Sequence, residues 1–202
     1  FYGYGLLFVS HAVCAAAGFG AFMLIYQGRR RFHGKGGLWL AFAAGLLTAC
    51  VTLFEYPGLV VSIVLALYGL LVLPPLKRRV SFALGGVAPT AMVMHFQWRA
   101  FGSPFTPGHL YVENRLLREA HHQGLYGAVG PTWEAFHGLV LDLGAGLLPL
   151  TPILVFSLVG FAALLLRPGQ RADAVAAGAA SLLTLLAICS MNNWRGGWTI
   201  GP

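Results

Sequence analysis

Residues 38–73 read LWLAFAAGLLTACVTLF, then EYPG, then LVVSIVLALYGLLVL. Two apolar runs, 38–54 and 59–73, are parted by Glu55-Tyr56-Pro57-Gly58. A helix rises 1.5 Å per residue, so about 20 residues cross the hydrocarbon core of a bilayer. Pro57 can open the second helix, because its missing N–H falls where a helix has no internal partner to offer. The stretch therefore reads as a pair of membrane helices joined by a short turn, with a carboxylate at the turn.

The pattern repeats in both directions. A first run extends from Leu6 to Tyr26 and ends at Gly28-Arg29-Arg30-Arg31. Pro74-Pro75 closes the third run, Lys77-Arg78-Arg79 follows, and a fourth runs from Val80 to about Trp98. A polar stretch leads to a fifth run from Gly144 to Leu166, with Pro149 and Pro152 inside it. The turn Arg167-Pro168-Gly169-Gln170-Arg171 precedes a sixth, Ala172 to Met191. The expected fold class is all-α: a polytopic transmembrane helical bundle in one domain spanning 1–202. It has about six transmembrane helices, near 6–26, 38–54, 59–73, 80–98, 144–166 and 172–191, and an outer loop at 99–137.

Composition agrees. Hydrophobic residues make up 57% of the chain and charged residues 9%, with mean hydropathy +0.73. A soluble domain carries about 25% charged residues. The net charge of +7 does not point to nucleic acid, because the basic residues form short clusters between apolar runs. Cys14, Cys50 and Cys189 lie inside apolar runs and share no metal-ligand spacing. The chain starts at Phe1 without Met and stops at Pro202, which reads as a piece of a longer protein.

Nine of the 13 Lys and Arg fall in the short connections after runs one, three and five. Arg99, Arg115, Arg118 and Arg195 fall on the opposite side. The positive-inside rule puts the nine in the cytoplasm, and Phe1, the 99–137 loop and Pro202 on the non-cytoplasmic side. Glu55, Glu113, Glu119, Glu134 and Asp142 gather at the outward side, as do His11, His95, His109, His121, His122 and His137; His33 is the exception.

Within the loop, prolines and glycines at 102–108 predict turns. From His109 to Gln123 the apolar residues Leu110, Val112, Leu116, Leu117 and Ala120 share one helical face, and Gly124 can cap the end. This predicts an amphipathic interfacial helix that carries Arg115 and Arg118 to the headgroup region. Arginine suits multidentate contact with phosphate, while an ordinary solvated face is the bland alternative. His109, Glu113, His121 and His122 form a weak metal candidate, since adjacent histidines point about 100° apart on a helix. A divalent metal ion is compatible with the carboxylates but not indicated. Facing histidines for haem would need a partner motif that His11 and His95 lack. Glu55 is costly to place at the edge of two apolar runs by accident, and Asp142 sits where a helix cap would. No phosphate-cradling loop or serine triad appears.

Four stretches taken in order resemble bacterial membrane glycosyltransferases of the GT-C superfamily, relatives of protein O-mannosyltransferases and lipid A aminoarabinose transferase. They are Gly45-Leu46-Leu47 through Leu53-Phe54-Glu55-Tyr56-Pro57, then Phe101-Gly102-Ser103-Pro104, then Leu147-Leu148-Pro149-Leu150-Thr151-Pro152, and last Trp194-Arg195-Gly196-Gly197-Trp198-Thr199-Ile200-Gly201-Pro202. The resemblance implies a protein of the bacterial inner membrane, with its site at the outward face and a polyprenyl-phosphate-linked sugar as donor. It places the catalytic carboxylate before Phe1. In related proteins the position of Glu55 often carries Lys, so its role does not transfer. The expected substrate-binding residues are Glu55, Arg99, Arg115, Arg118 and Arg195, and the expected partners are the lipid bilayer and the lipid-linked sugar. A transporter or flippase for a lipid-linked or anionic substrate is the alternative, with Pro149 and Pro152 as its broken helix.

Overall fold

A computed structural model describes residues 10–30 and 35–195, apart from the side chains of Lys35, His109, Leu116 and Leu117. The expected start of the first helix at Leu6, His33, both chain ends and the motif beyond Arg195 lie outside the described residues. Among the described residues the chain is all-helical. No strand forms, and only isolated bridges pair extended backbone.

Three helices, Ser10–Arg30, Gly36–Phe54 and Pro168–Cys189, are long and apolar enough to cross a membrane. Tyr56–Val72 and Pro152–Leu166 are apolar but shorter. The fourth expected span is a helix of 26 residues, but Ser81, Pro89, Thr90, His95 and Gln97 dilute its apolar run. By length and apolarity the structure thus supports three spans, against the six read from the sequence. The chain divides into two compact units, Phe1–Thr106 and Pro107–Pro202.

The first unit holds α1 (Ser10–Arg30), α2 (Lys35–Phe54), a 3-10 turn (Tyr56–Gly58), α3 (Leu59–Val72) and α4 (Leu76–Phe101). α2 is central and packs on α1, α3 and α4. Its core mixes small and large residues: Ala17, Ala21, Ala41 and Ala44 are buried, and so are Ile25, Val51, Leu73 and Phe82. Other large residues such as Phe19, Trp39 and Leu71 point outward, Trp39 and Leu71 each 74% exposed. So many exposed large apolar side chains suit helices in lipid, where small residues let backbones approach and outward ones meet acyl chains.

Polar groups between these helices are bonded. Ser62 Oγ donates to Thr48 O (2.8 Å), and Thr52 Oγ1 donates to Ser62 Oγ (2.8 Å), stitching α3 to α2. At one end, Arg78 is buried and its Nη1 donates to Gly28 O (3.0 Å). Arg79 Nε donates to Leu73 O (2.9 Å), and Ser81 Oγ to Leu38 O (2.8 Å). The arginines that read as topology signals therefore also satisfy carbonyls left over at the C-terminal ends of α1 and α3. α4 stops at Gly102, whose φ of 75° is the left-handed conformation of a helix stop.

The second unit holds a 3-10 turn (Gly108–Tyr111), α5 (Arg115–His121), α6 (Trp133–Val140), α7 (Leu147–Leu150), a 3-10 turn (Pro152–Leu154), α8 (Val155–Leu166), another 3-10 turn (Pro168–Gln170) and α9 (Arg171–Cys189). Two expectations are corrected here. The amphipathic helix expected over 109–123 is limited to α5, because Val112 is extended (ψ 142°) and Asn114 O accepts the first helical bond, from Arg118 N (2.9 Å). The fifth run is not one helix from Gly144. Pro149 and Pro152 split it, and a continuous helix begins only at Val155. α6 begins inside the expected loop and runs past its end at 137; Thr132 caps it, its Oγ1 accepting from Ala135 N (3.2 Å).

The α2–α4 crossing has no room for side chains. A Cβ on Gly45 would lie 1.8 Å from Phe82 O, and one on Gly85 2.0 Å from Phe42 O. A Cβ on Gly86 would meet Gly45 O at 3.5 Å, an ordinary contact. Gly45→Leu and Gly85→Leu are expected to destabilise the protein by about 3 kcal/mol or more, since backbone cannot move aside as a side chain can. Gly86→Ala should be neutral or stabilise by up to about 1 kcal/mol, since alanine favours a helix interior over glycine. Thermal unfolding of the three variants in one detergent checks this ranking.

Candidate functional site

The end of the first unit opposite Arg78 collects polar groups from α1, from the turn between α2 and α3, and from α4. α2 ends at Phe54, and Glu55 follows in extended backbone (φ −154°, ψ 131°) ahead of the turn that Pro57 opens. Its N–H still donates to Val51 O (3.1 Å), and its carbonyl accepts from Gly58 N (3.0 Å). The backbone is thus fixed on both sides, and the side chain turns to the first turn of α1. There Glu55 Oε1 lies 2.5 Å from His11 Nδ1 and accepts from Ser10 Oγ (3.1 Å). The carboxylate side chain is 21% exposed and the histidine 70%. One turn further along α1, Cys14 Sγ donates to Val51 O (3.5 Å) and ties the same two helices. Beside this cluster, the buried Gln97 of α4 donates through Nε2 to Tyr56 Oη.

Of the five expected substrate-binding residues, Glu55 and Arg99 lie in this unit. Arg99 is exposed in the last turn of α4, and no hydrogen bond or ion pair joins it to Glu55. The partners that Glu55 does have, Ser10 and His11, were not expected. In the sequence His11 reads as a histidine near the outward side and, with His95, as a haem candidate without a partner motif. The available signal was the alignment of two helix ends, which spacing alone does not give.

The second unit holds Arg115, Arg118 and Arg195. Arg115 Nε pairs with Glu119 Oε1 (2.7 Å), one turn along α5. Arg195 Nη2 donates to Glu134 Oε1 (3.0 Å), and its guanidinium lies 5.0 Å from the Trp194 ring centre. Both pairs are exposed, so each contributes little to stability. Arg118 is exposed and forms no ion pair among the described residues. No bond joins any two of these three arginines.

The segment after α9 is held against α5 and the turn that follows. Leu125–Ala128 closes a tight turn with positive φ at Tyr126 (55°) and Gly127 (92°), and Ala128 bridges to Met191. Asn192 Nδ2 donates to Ala120 O (3.2 Å) and Gln123 Oε1 (2.9 Å). Asn193 Nδ2 lies 3.4 Å from Nε2 of the buried His121. His121 is thus a packed residue beside an amide, whereas the sequence offered it as a metal ligand. Among the described residues no group of three His, Cys, Asp or Glu is gathered for a metal. The side chain of His109 lies outside the described residues. Asp142 caps no helix: its Oδ1 accepts from Gly144 N and Ala145 N, both at 2.9 Å, in a side-chain-closed turn.

Fold and site together define an all-helical chain with membrane-length apolar helices and a clustered polar end in its first unit. No family model, curated protein or solved structure matches it.

Asn192→Ala removes two hydrogen bonds that tie the segment after α9 to the α5 region. The loss of about 1–2 kcal/mol should raise local opening by roughly 5- to 30-fold. Limited proteolysis within 190–195 should accelerate accordingly. Arg195→Gln, which breaks an exposed ion pair and the contact with the Trp194 ring, should change the rate less than Asn192→Ala.

Proposed function

We propose that the protein is a membrane glycosyltransferase that moves a sugar from a polyprenyl-phosphate donor to an acceptor hydroxyl at the outward membrane face. The observation that carries the reading is the split of the first unit into two unlike ends. One end holds buried or bonded arginines, and the other gathers Ser10, His11, Glu55, Tyr56 and Gln97. A lipid-linked donor presents its phosphate and sugar at the interface, where such a polar end would meet it. The ordered resemblance to the GT-C superfamily supports the same reading, and with it the bacterial inner membrane and six spans, α3, α4 and the Pro-broken 147–166 segment adding to the three long apolar helices.

Each group has a place in this chemistry. Transfer needs a base for the acceptor hydroxyl and cations for the leaving phosphate. Arg118 and Arg99 can meet a phosphate without giving up an ion pair, and Arg115 and Arg195 can exchange an exposed carboxylate for one. Glu55 serves as a positioning residue. The break at Pro149 and Pro152 favours a second reading, a transporter for a lipid-linked substrate, because broken helices often line transport sites.

Purified full-length protein should release polyprenyl phosphate from radiolabelled polyprenyl-phosphate-linked sugars. Arg118→Ala should lower kcat/KM about tenfold or more, the worth of one charge-assisted contact. No release from any donor would rule out the transferase, and uptake of the labelled compound into sealed vesicles would establish transport instead. The orientation is checked separately. A cysteine at position 99, in a background without Cys14, Cys50 and Cys189, should react with an impermeant maleimide from outside the cell, and one at position 77 only after lysis.

A further inference from the structure

We propose that the basic end of the first unit binds one anionic phospholipid, its phosphate at Lys77 and an acyl chain in a groove between the starts of α2 and α4. The inference goes beyond the transferase reading and needs only that the apolar helices lie in a bilayer.

The first turn of α4 holds three consecutive cations, and they are not equivalent. Arg78 is buried and donates to Gly28 O (3.0 Å). It fits there because residue 37 is glycine: a Cβ at that position would lie 2.8 Å from Arg78 Nε. Arg79 donates to Leu73 O (2.9 Å). Lys77 is exposed and makes no hydrogen bond or ion pair among the described residues. Its ammonium, a compact charge with three donors, is therefore open to a ligand.

Leu38, Trp39 and Phe42 of α2 and Ser81 of α4 line a groove of about 450 Å³. Small-molecule sites run from about 300 to 1,000 Å³, so the space can hold a stretch of acyl chain. The one polar side chain on its wall is already used, since Ser81 Oγ donates to Leu38 O (2.8 Å). The Trp39 and Phe42 rings meet edge to face, 6.2 Å between centres, and make the wall aromatic. Lys77 precedes Ser81 by four residues. It stands on the same face of α4, about 6 Å nearer the helix end. Head and tail of one lipid thus find charge and apolar surface in the order a bilayer presents them. The Trp39 indole N–H, also unpaired among the described residues, can donate to an ester carbonyl between the two.

Charge selects the headgroup. Residues 1–106 contain a single acidic residue, Glu55, and it lies at the opposite end of the unit. A zwitterionic lipid brings a cation for which this end has no carboxylate, whereas a phosphodiester with an uncharged headgroup, as in phosphatidylglycerol, meets only positive charge. A lysine that merely reached water along its apolar stem would show no such choice.

The test places the full-length protein in phosphatidylcholine nanodiscs with a small fixed fraction of dibrominated phosphatidylglycerol or dibrominated phosphatidylcholine. Bromine quenches tryptophan on contact, and subtraction of a Trp39→Phe variant isolates the Trp39 signal. The brominated phosphatidylglycerol should quench Trp39 at about fivefold lower mole fraction than the brominated phosphatidylcholine, the worth of one lysine at an anionic lipid. Lys77→Gln should abolish that preference and Lys77→Arg should keep it. Arg167→Gln, at an exposed cation of the second unit, should leave it unchanged. Equal quenching by the two lipids in the parent protein overturns the proposal, as does a preference that survives Lys77→Gln. A preference lost equally in Arg167→Gln reduces it to diffuse charge attraction and overturns the site. Polyprenyl phosphate that relieves the quenching at equal mole fraction assigns the groove to that lipid instead. No sugar transfer enters the measurement, so a failure of the transferase reading leaves its outcome intact.

Discussion

The first unit depends on the backbone contact between α2 and α4. In lipid, apolar side chains gain nothing by leaving their surroundings, so helices are held by close packing and by bonds between polar groups. Gly45 against Phe82 O and Gly85 against Phe42 O bring two helices to a separation that any side chain would prevent. From that contact follow the short reach of Ser81 Oγ to Leu38 O near one end and the placement of Gln97 beside Tyr56 at the other. Alanines at 17, 21, 41 and 44 continue the same principle along α1 and α2.

A bundle packed this way buries some large side chains, such as Ile25, Leu73 and Phe82, and turns others, such as Trp39 and Leu71, outward. Within the packed region Thr52 bonds across to Ser62, Ser62 to the Thr48 carbonyl, and the Thr48 hydroxyl to Ala44 O of its own helix, because an unpaired group there would lack water as a substitute. Arg78 meets the same demand at the basic end by donating to an α1 carbonyl. The arginine that the sequence offers as a topology signal thus has a second physical reason to be there, a carbonyl at a helix end. At the other end the demand is met differently: Glu55 meets hydroxyl and imidazole donors from α1 instead of guanidinium groups.

The helices of the first unit were legible because charge and proline punctuate it plainly. Arg29 and Arg30 end α1, Pro57 opens the turn before α3, and Pro74-Pro75 separates α3 from α4. The second unit was less legible, since its polar stretch has several solutions. Hydropathy carried a helix back to His109, while local bonding favoured a start after Asn114, a residue type suited to that position. Pro149 and Pro152 were visible as interruptions, yet the apolar run through them hid how far they displace the helix start. The Glu55 carboxylate was recognisable by its cost, but its partners were not. Residues 11 and 55 meet only because α1 and α2 are antiparallel and matched in length, a tertiary fact that no spacing encodes.

That same matching bears on why a histidine rather than a lysine or arginine faces Glu55. At the basic end of this unit Arg78 and Arg79 turn to carbonyls of α1 and α3 and are fixed there. A guanidinium opposite Glu55 would form a bidentate pair with no acceptor left over. Imidazole answers the carboxylate with one nitrogen and leaves most of its ring exposed. The two ends of the unit therefore solve the same problem with opposite charges: Arg78 and Arg79 are bonded to carbonyls at one, and a carboxylate is held by a hydroxyl and an imidazole at the other.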